Sequence, residues 1–110
     1  MKSKIKSAQD IQRAQLIIAA VTLEFGTPQL DITSNKRGAN DVCLARQVSM
    51  YLMNVIFGIS LTRIGNVFNR DRSTASHACN VIEDYREDPI LDKKIARLEL
   101  FLNGSTALAN

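Results

Sequence analysis

Histidine is nearly missing from this chain: His77 is the only one. Tryptophan is absent, and there are only two cysteines, two prolines and five glycines. Each scarcity excludes a chemistry. One histidine is too little material for His-based zinc sites and for most acid–base triads. The glycines stand singly, so neither a P-loop ending in Gly-Lys-Ser/Thr nor a Gly-x-Gly-x-x-Gly fingerprint occurs. Cys43 and Cys79 are far apart, belong to no Cys-x-x-Cys pair and lie in apolar, helix-like stretches. They read as small buried hydrophobes. Long hydrophobic runs are also lacking, since the stretch from Leu16 to Leu23 is too short to span a bilayer. No nucleophile–base pair or metal set can be assembled. The expectation is a cytoplasmic protein that is not an enzyme, with no catalytic residues, metal, cofactor, nucleotide or membrane segment.

What remains is a globular composition. Hydrophobic residues make up 45% of 110, charged residues 23%, and the mean hydropathy is −0.06. Such a length fits one domain over residues 1–110, with a core over about 8–103 and a frayed tail from 104 to 110. The net charge is +3, unevenly spread. Residues 34–76 carry six basic against two acidic side chains, a balance of +4. Residues 77–110 carry four against six, a balance of −2. Positive charge gathers in the middle and acid gathers behind it.

Apolar residues recur at helical spacing almost throughout. Ile11, Ala14, Ile18, Val21 and Phe25 make one helix face, which Gly26, Thr27 and Pro28 end. A basic loop with Lys36 and Arg37 follows. From Asp41, the positions Leu44, Val48, Tyr51 or Leu52, and Val55 make the face of a second long helix that Gly58 closes. Ser60 suits the N-cap of a short third helix with Leu61, Ile64 and Phe68 inward. Asn69 and Arg70 form a tight turn, Asn tolerating the left-handed backbone. Asp71 then caps a fourth helix whose inward residues are Ala75, Ala78, Cys79, Ile82 and Tyr85. Pro89 marks its end or the next start, and a last helix carries Leu91, Ile95, Leu98 and Leu102 inward before Gly104 stops it. The fold class is all-α, a compact bundle of about five helices.

The span from Ser60 to Tyr85 is a short helix, a three-residue turn and a longer helix. That is helix-turn-helix geometry, in which the N-terminal residues of the second helix meet base edges in the major groove. Its first turn, Asp71-Arg72-Ser73-Thr74, has fitting chemistry. Asp accepts from cytosine N4, Arg donates a fork to guanine O6 and N7, and Ser and Thr bond base edges or phosphates. A helix N-terminus also presents free N–H groups to phosphate.

Three runs then carry a resemblance: Ala45-Arg46-Gln47-Val48-Ser49-Met50-Tyr51-Leu52, Ser60-Leu61-Thr62-Arg63-Ile64-Gly65, and Phe68-Asn69-Arg70-Asp71-Arg72-Ser73-Thr74-Ala75-Ser76-His77-Ala78. Together they are similar to the C-terminal DNA-binding domain of DnaA, the bacterial replication initiator, over roughly residues 12 to 102. The resemblance implies a helical domain that reads duplex DNA from both grooves. Arg70, Asp71, Arg72, Ser73 and Thr74 match the segment that enters the major groove, and Arg46 the arginine of the minor groove. Lys36 and Arg37 match a basic loop that approaches DNA. Ser60 and Leu61 match positions whose backbone lies against phosphate. His77 and Tyr51 are expected to pack in the interior or, for His77, to hydrogen-bond.

The chain departs from that family's pattern in places. Its turn is one residue shorter, Arg72 replaces a base-reading histidine, Ser73 replaces a threonine, and Gly38 to Asp41 stand where basic residues usually crowd. The family's ATP-binding domain is absent, and Met1 opens the chain with a helix of its own, which favours a freestanding module. The implied role is sequence-specific binding of double-stranded DNA on the nucleoid, regulating replication initiation or transcription without ATPase activity. The alternative is a protein-interaction module, using helix 1 or the C-terminal helix, that has lost strong DNA binding.

Overall fold

Ser7 starts the first helix of the computed structural model by accepting the Asp10 N–H on its hydroxyl at 3.3 Å. The structure describes residues 7–27 and 40–109, with side chains for 7–27 and 41–104. The basic loop with Lys36 and Arg37 lies outside the described residues. Helix α1 spans Ala8–Phe25 and ends where Gly26 turns left-handed at φ 68° and donates its N–H to the Thr22 carbonyl. Helix α2 spans Asn40–Phe57. Gly58, at φ 65°, lets the chain leave it, and the Asn54 side chain pins the exit by donating to the Ile59 carbonyl at 3.0 Å. Helix α3 spans Leu61–Phe68, α4 Arg72–Tyr85 and α5 Pro89–Ala109. Pro89 opens α5 at the position where a missing N–H costs nothing. The described residues form five helices and no strand.

Helix α2 is the axis of the bundle. Val48, Ser49, Met50, Tyr51, Leu52 and Met53 are all buried, so α2 is covered on nearly every side. Around it close Ala14, Ile17, Ile18 and Val21 of α1, Ile64 and Phe68 of α3, Ala75, Ala78 and Ile82 of α4, and Ile95, Leu98 and Leu102 of α5. Full burial of each large apolar side chain is worth about 1.5–3 kcal/mol, so this shared core holds the small α3 and the first turn of α4 in place.

Three expectations need correction. Val55 is 44% exposed, because the last turn of α2 directs Ile56 and Phe57 toward the core in its place. Tyr85 is 49% exposed, because the inward row of α4 runs Ala78, Ile82 and then Arg86. The Arg86 guanidinium meets Asp92 at 2.6 Å, Glu99 at 3.0 Å and the Tyr51 hydroxyl at 3.2 Å. Glu99 above all, with Asp92 and Tyr51, holds Arg86 firmly protonated. Finally, Gly104 does not stop α5, which runs on to Ala109. One glycine inside a helix costs only about 1 kcal/mol.

Ion pairs tie the outer elements. Arg97 of α5 grips Glu24 of α1 at 2.7 and 3.3 Å, and this hydrogen bond holds the Glu24 carboxyl below the usual range. Lys94 sits over the Phe25 ring and Arg13 over the Phe57 ring, each at 5.1 Å.

Candidate nucleic-acid interface

Ser60 fixes the start of α3. Its backbone is extended and its hydroxyl accepts the Arg63 N–H at 3.3 Å. One turn in, Arg63 reaches back to α1 and bonds both oxygens of Asp10, from Nε at 2.8 Å and Nη2 at 2.5 Å. Asp10 is buried and Arg63 about half exposed, and the hydrogen bond with Asp10 raises the pKa of Arg63.

The turn that follows is tight. Asn69 adopts the left-handed conformation at φ 56°, as its residue type allows. Arg70 N–H then donates to the Gly65 carbonyl at 2.8 Å. A Cβ on Gly65 would stand 2.7 Å from the Arg70 carbonyl oxygen and 3.2 Å from the carbonyl carbon of Asp71. Only glycine lets α3 press so closely against the chain entering α4. Asp71 has the extended backbone of an N-cap, and its carbonyl accepts from Thr74 and Ala75. Its side chain makes no capping hydrogen bond, contrary to the sequence reading.

Asp71, Arg72, Ser73 and Thr74 are all exposed on the first turn of α4. Arg70 is half-buried in the turn, and Arg46, on α2, is only 7% exposed. Arg46, Arg70 and Thr74 nevertheless line one concavity of about 390 Å³ between α2 and α4, together with Gln47 and His77. Ser60 is exposed and Leu61 half-buried at the far end of α3, outside this concavity.

His77 is the residue that sequence reasoning misplaced. Expected to pack or hydrogen-bond within the fold, it is exposed and shares the concavity with two arginines. Its spacing was a usable signal, since three and four residues beyond Thr74 and Ser73 is one helical turn along the same face. Cys79 is half-buried, and burial together with the Glu83 charge pushes its thiol up, away from a reactive thiolate. Among the described residues no group of three or more His, Cys, Asp or Glu could hold a metal, and no helix is long and apolar enough to cross a membrane.

A short helix, a tight turn and a second helix whose exposed first turn carries Arg72, Ser73 and Thr74 define a helix-turn-helix protein. The family described as the bacterial DnaA protein helix-turn-helix matches residues 14–82, and the chain belongs to it. Its relatives are named chromosomal replication initiator protein DnaA. That of Lachnoclostridium phytofermentans is 40% identical over 82 residues, which is 73% of this chain and 18% of the relative. That of Laribacter hongkongensis is 39% identical over 76 residues, 67% of this chain and 16% of the relative. That of Deinococcus radiodurans is 33% identical over 89 residues, 80% of this chain and 19% of the relative. The chain thus spans less than a fifth of the length of these relatives.

Proposed function

We propose that this chain binds double-stranded DNA sequence-specifically, as one domain, and regulates replication initiation or transcription by binding and not by ATP hydrolysis. The observation that carries the reading is the convergence of Arg46 and Arg70 with Thr74 beside the exposed Asp71–Thr74 turn. In this reading Arg72, Ser73 and Thr74 meet base edges in the major groove, with Asp71 and Arg70 at the entry. Arg46 serves the minor groove. Because its side chain is buried, either DNA approaches the mouth of the concavity closely or the long side chain swings outward. Ser60 and Leu61 present backbone to phosphate, and Lys36 and Arg37 add charge from the basic segment. The relatives' name supports initiation of chromosomal replication as the process, and in this reading the protein works in the cytoplasm, on the nucleoid.

The test is the salt dependence of binding to a duplex. If about four to six phosphates are neutralised, log affinity falls with log salt at roughly −0.9 per phosphate between about 50 and 200 mM. An affinity that ignores salt over that range contradicts the reading.

A second reading, docking of a protein partner, is favoured by the apolar groups that α1 and α5 expose. Leu23 is 86% exposed, Leu100 77% and Phe101 55%. Leu23 and Phe101 line a shallow depression of about 260 Å³ beside the Glu24–Arg97 pair. This surface does not share the DNA-facing residues, so substituting Leu23 and Phe101 separates the readings: the leading one expects DNA affinity to be kept, whereas the alternative expects weak DNA binding from the outset and loss of the partner.

A further inference from the structure

Helix α1 carries only three charges, Asp10, Arg13 and Glu24, and the fold uses all of them. Asp10 holds Arg63, Arg13 lies over the Phe57 ring, and Glu24 holds Arg97. The solvent side of α1 is left uncharged, since no exposed residue from Ala8 to Phe25 is ionisable. On that side Gln9, Gln12, Leu16, Ala19 and Leu23 are all exposed and follow one another at alternating steps of three and four. Such spacing makes a seam for a second helix, whereas a helix that meets only water normally shows it charged side chains. Leu16 is 37% exposed and Leu23 86%. Leu23 also edges the depression of about 260 Å³ that Ala20, Leu98 and Phe101 line, whose two charges, Glu24 and Arg97, pair with each other. The stripe is symmetric about its middle, with Leu16 four residues before Ala20 and Leu23 four after Ala19. An antiparallel α1 laid across these alanines meets Leu23 with its Leu16, and Leu16 with its Leu23. The short alanine side chains let two helix axes come close.

We propose that α1 is a self-association face: two copies of this chain pack their α1 helices antiparallel about Ala19 and Ala20, each Leu16 seated against Leu23 and Phe101 of the other copy. A second copy is the occupant because the stripe is neutral and self-complementary, as a two-fold contact requires. A charged partner finds nothing there to pair with. The seam from Gln9 to Leu23 is about 21 Å long, so the contact stands at the small, weak end of protein interfaces. It uses the α1–α5 surface of the second reading and holds whether or not the chain binds DNA. Its consequence for DNA rests on the leading reading. The Asp10–Arg63 pair ties α1 to the start of the helix-turn-helix, so the two-fold also sets the two reading helices relative to each other. Such a dimer recognises two inverted copies of one motif, because the site mirrors the symmetry of the protein.

The experiment is sedimentation equilibrium of the full chain between about 5 and about 500 µM, a range suited to the weak association of a small interface. Wild type, Leu16→Lys, Leu23→Glu and the double variant are compared, with folding of each followed by circular dichroism. Wild type should pass from monomer to dimer. Each single variant should associate about a hundredfold more weakly, because each leucine enters a two-fold contact twice and counts about tenfold each time. The double variant should recover much of the loss, because antiparallel packing sets the new ammonium of one copy against the new carboxylate of the other, twice. Within one chain the two substituted positions lie two helical turns apart and do not face each other. A wild type that stays monomeric throughout, a single variant that associates like wild type, or a double variant no better than the singles overturns the assignment. Duplexes retained from a random pool then test the consequence. Inverted pairs of one motif with wild type, and single copies with the monomeric variants at unchanged single-copy affinity, support it. Single copies with a dimeric wild type overturn the inverted arrangement. A dimer that enriches no motif rejects the DNA reading and leaves the α1 contact standing.

Discussion

Asp10 and Arg63 lie fifty-three residues apart, yet the Arg63 guanidinium donates to both Asp10 oxygens, at 2.8 and 2.5 Å. Asp10 sits in the first turn of α1 and Arg63 in the first turn of α3, beside the Ser60 cap. The pair therefore holds the start of the helix-turn-helix against the N-terminal helix. Because the acid is buried and the base is half exposed, the two truncations are not equivalent. Removing Arg63 strands a buried carboxylate, whereas removing Asp10 leaves a cation that water can solvate. Arg63→Ala should therefore lower the urea midpoint more than Asp10→Ala does. The reverse order would mean that the pair carries little of the fold's stability.

Gly65 gives the second prediction. A methyl group there meets backbone, not a flexible side-chain end, at 2.7 Å. Gly65→Ala should cost about 1–3 kcal/mol, the range for overpacking a close contact. It should also weaken DNA binding beyond what the lost folded fraction explains, because α3 and α4 must separate. Chemical denaturation and titration at full folding check this, and wild-type values in both would show that the turn yields cheaply.

Arg46 gives the third. A planar, permanently charged guanidinium suits the narrow, electronegative minor groove of A·T-rich DNA. Arg46→Ala should lose more affinity on duplexes with A·T-rich flanks than on those with G·C-rich flanks. Arg46→Lys should recover only part of it. Equal losses on both flanks would assign Arg46 to plain phosphate contact. An unfolded Arg46→Ala protein, measured by circular dichroism, would assign it to structure, a role its 7% exposure makes worth testing.

Most of the helices were readable because their apolar residues follow the 3.6-residue period and their ends carry the right caps. Gly26, Ser60 and Asn69 each do what their residue type dictates. Periodicity failed at the end of α2, because the middle of that helix is buried on nearly every side and leaves no continuous polar stripe to show that Val55 faces outward. It failed again at Tyr85, where a charged residue, Arg86, takes the inward place because Asp92, Glu99 and Tyr51 satisfy it. Gly104 misled because a stop signal is only a propensity. As for the site, the exposed turn from Asp71 to Thr74 follows from local pattern, and the resemblance singled out Arg46. Thr74 and His77 share a face by helical spacing, but bringing Arg46 to the same concavity is tertiary, set by how α2 packs on α4, and no spacing in the chain encodes it.

The most direct test of the central claim, sequence-specific reading by the first turn of α4, is to sequence the duplexes that the protein retains from a random pool. The account predicts one enriched motif with guanine at the position that Arg72 faces, since its fork matches guanine O6 and N7. With Arg72→Ala the motif should persist but lose that guanine preference, at a cost of about 1–3 kcal/mol on the selected site. If Arg72→Ala instead weakens all sequences alike and flattens the salt slope by about one unit, Arg72 holds phosphate. A retained pool indistinguishable from the input would contradict sequence-specific binding altogether.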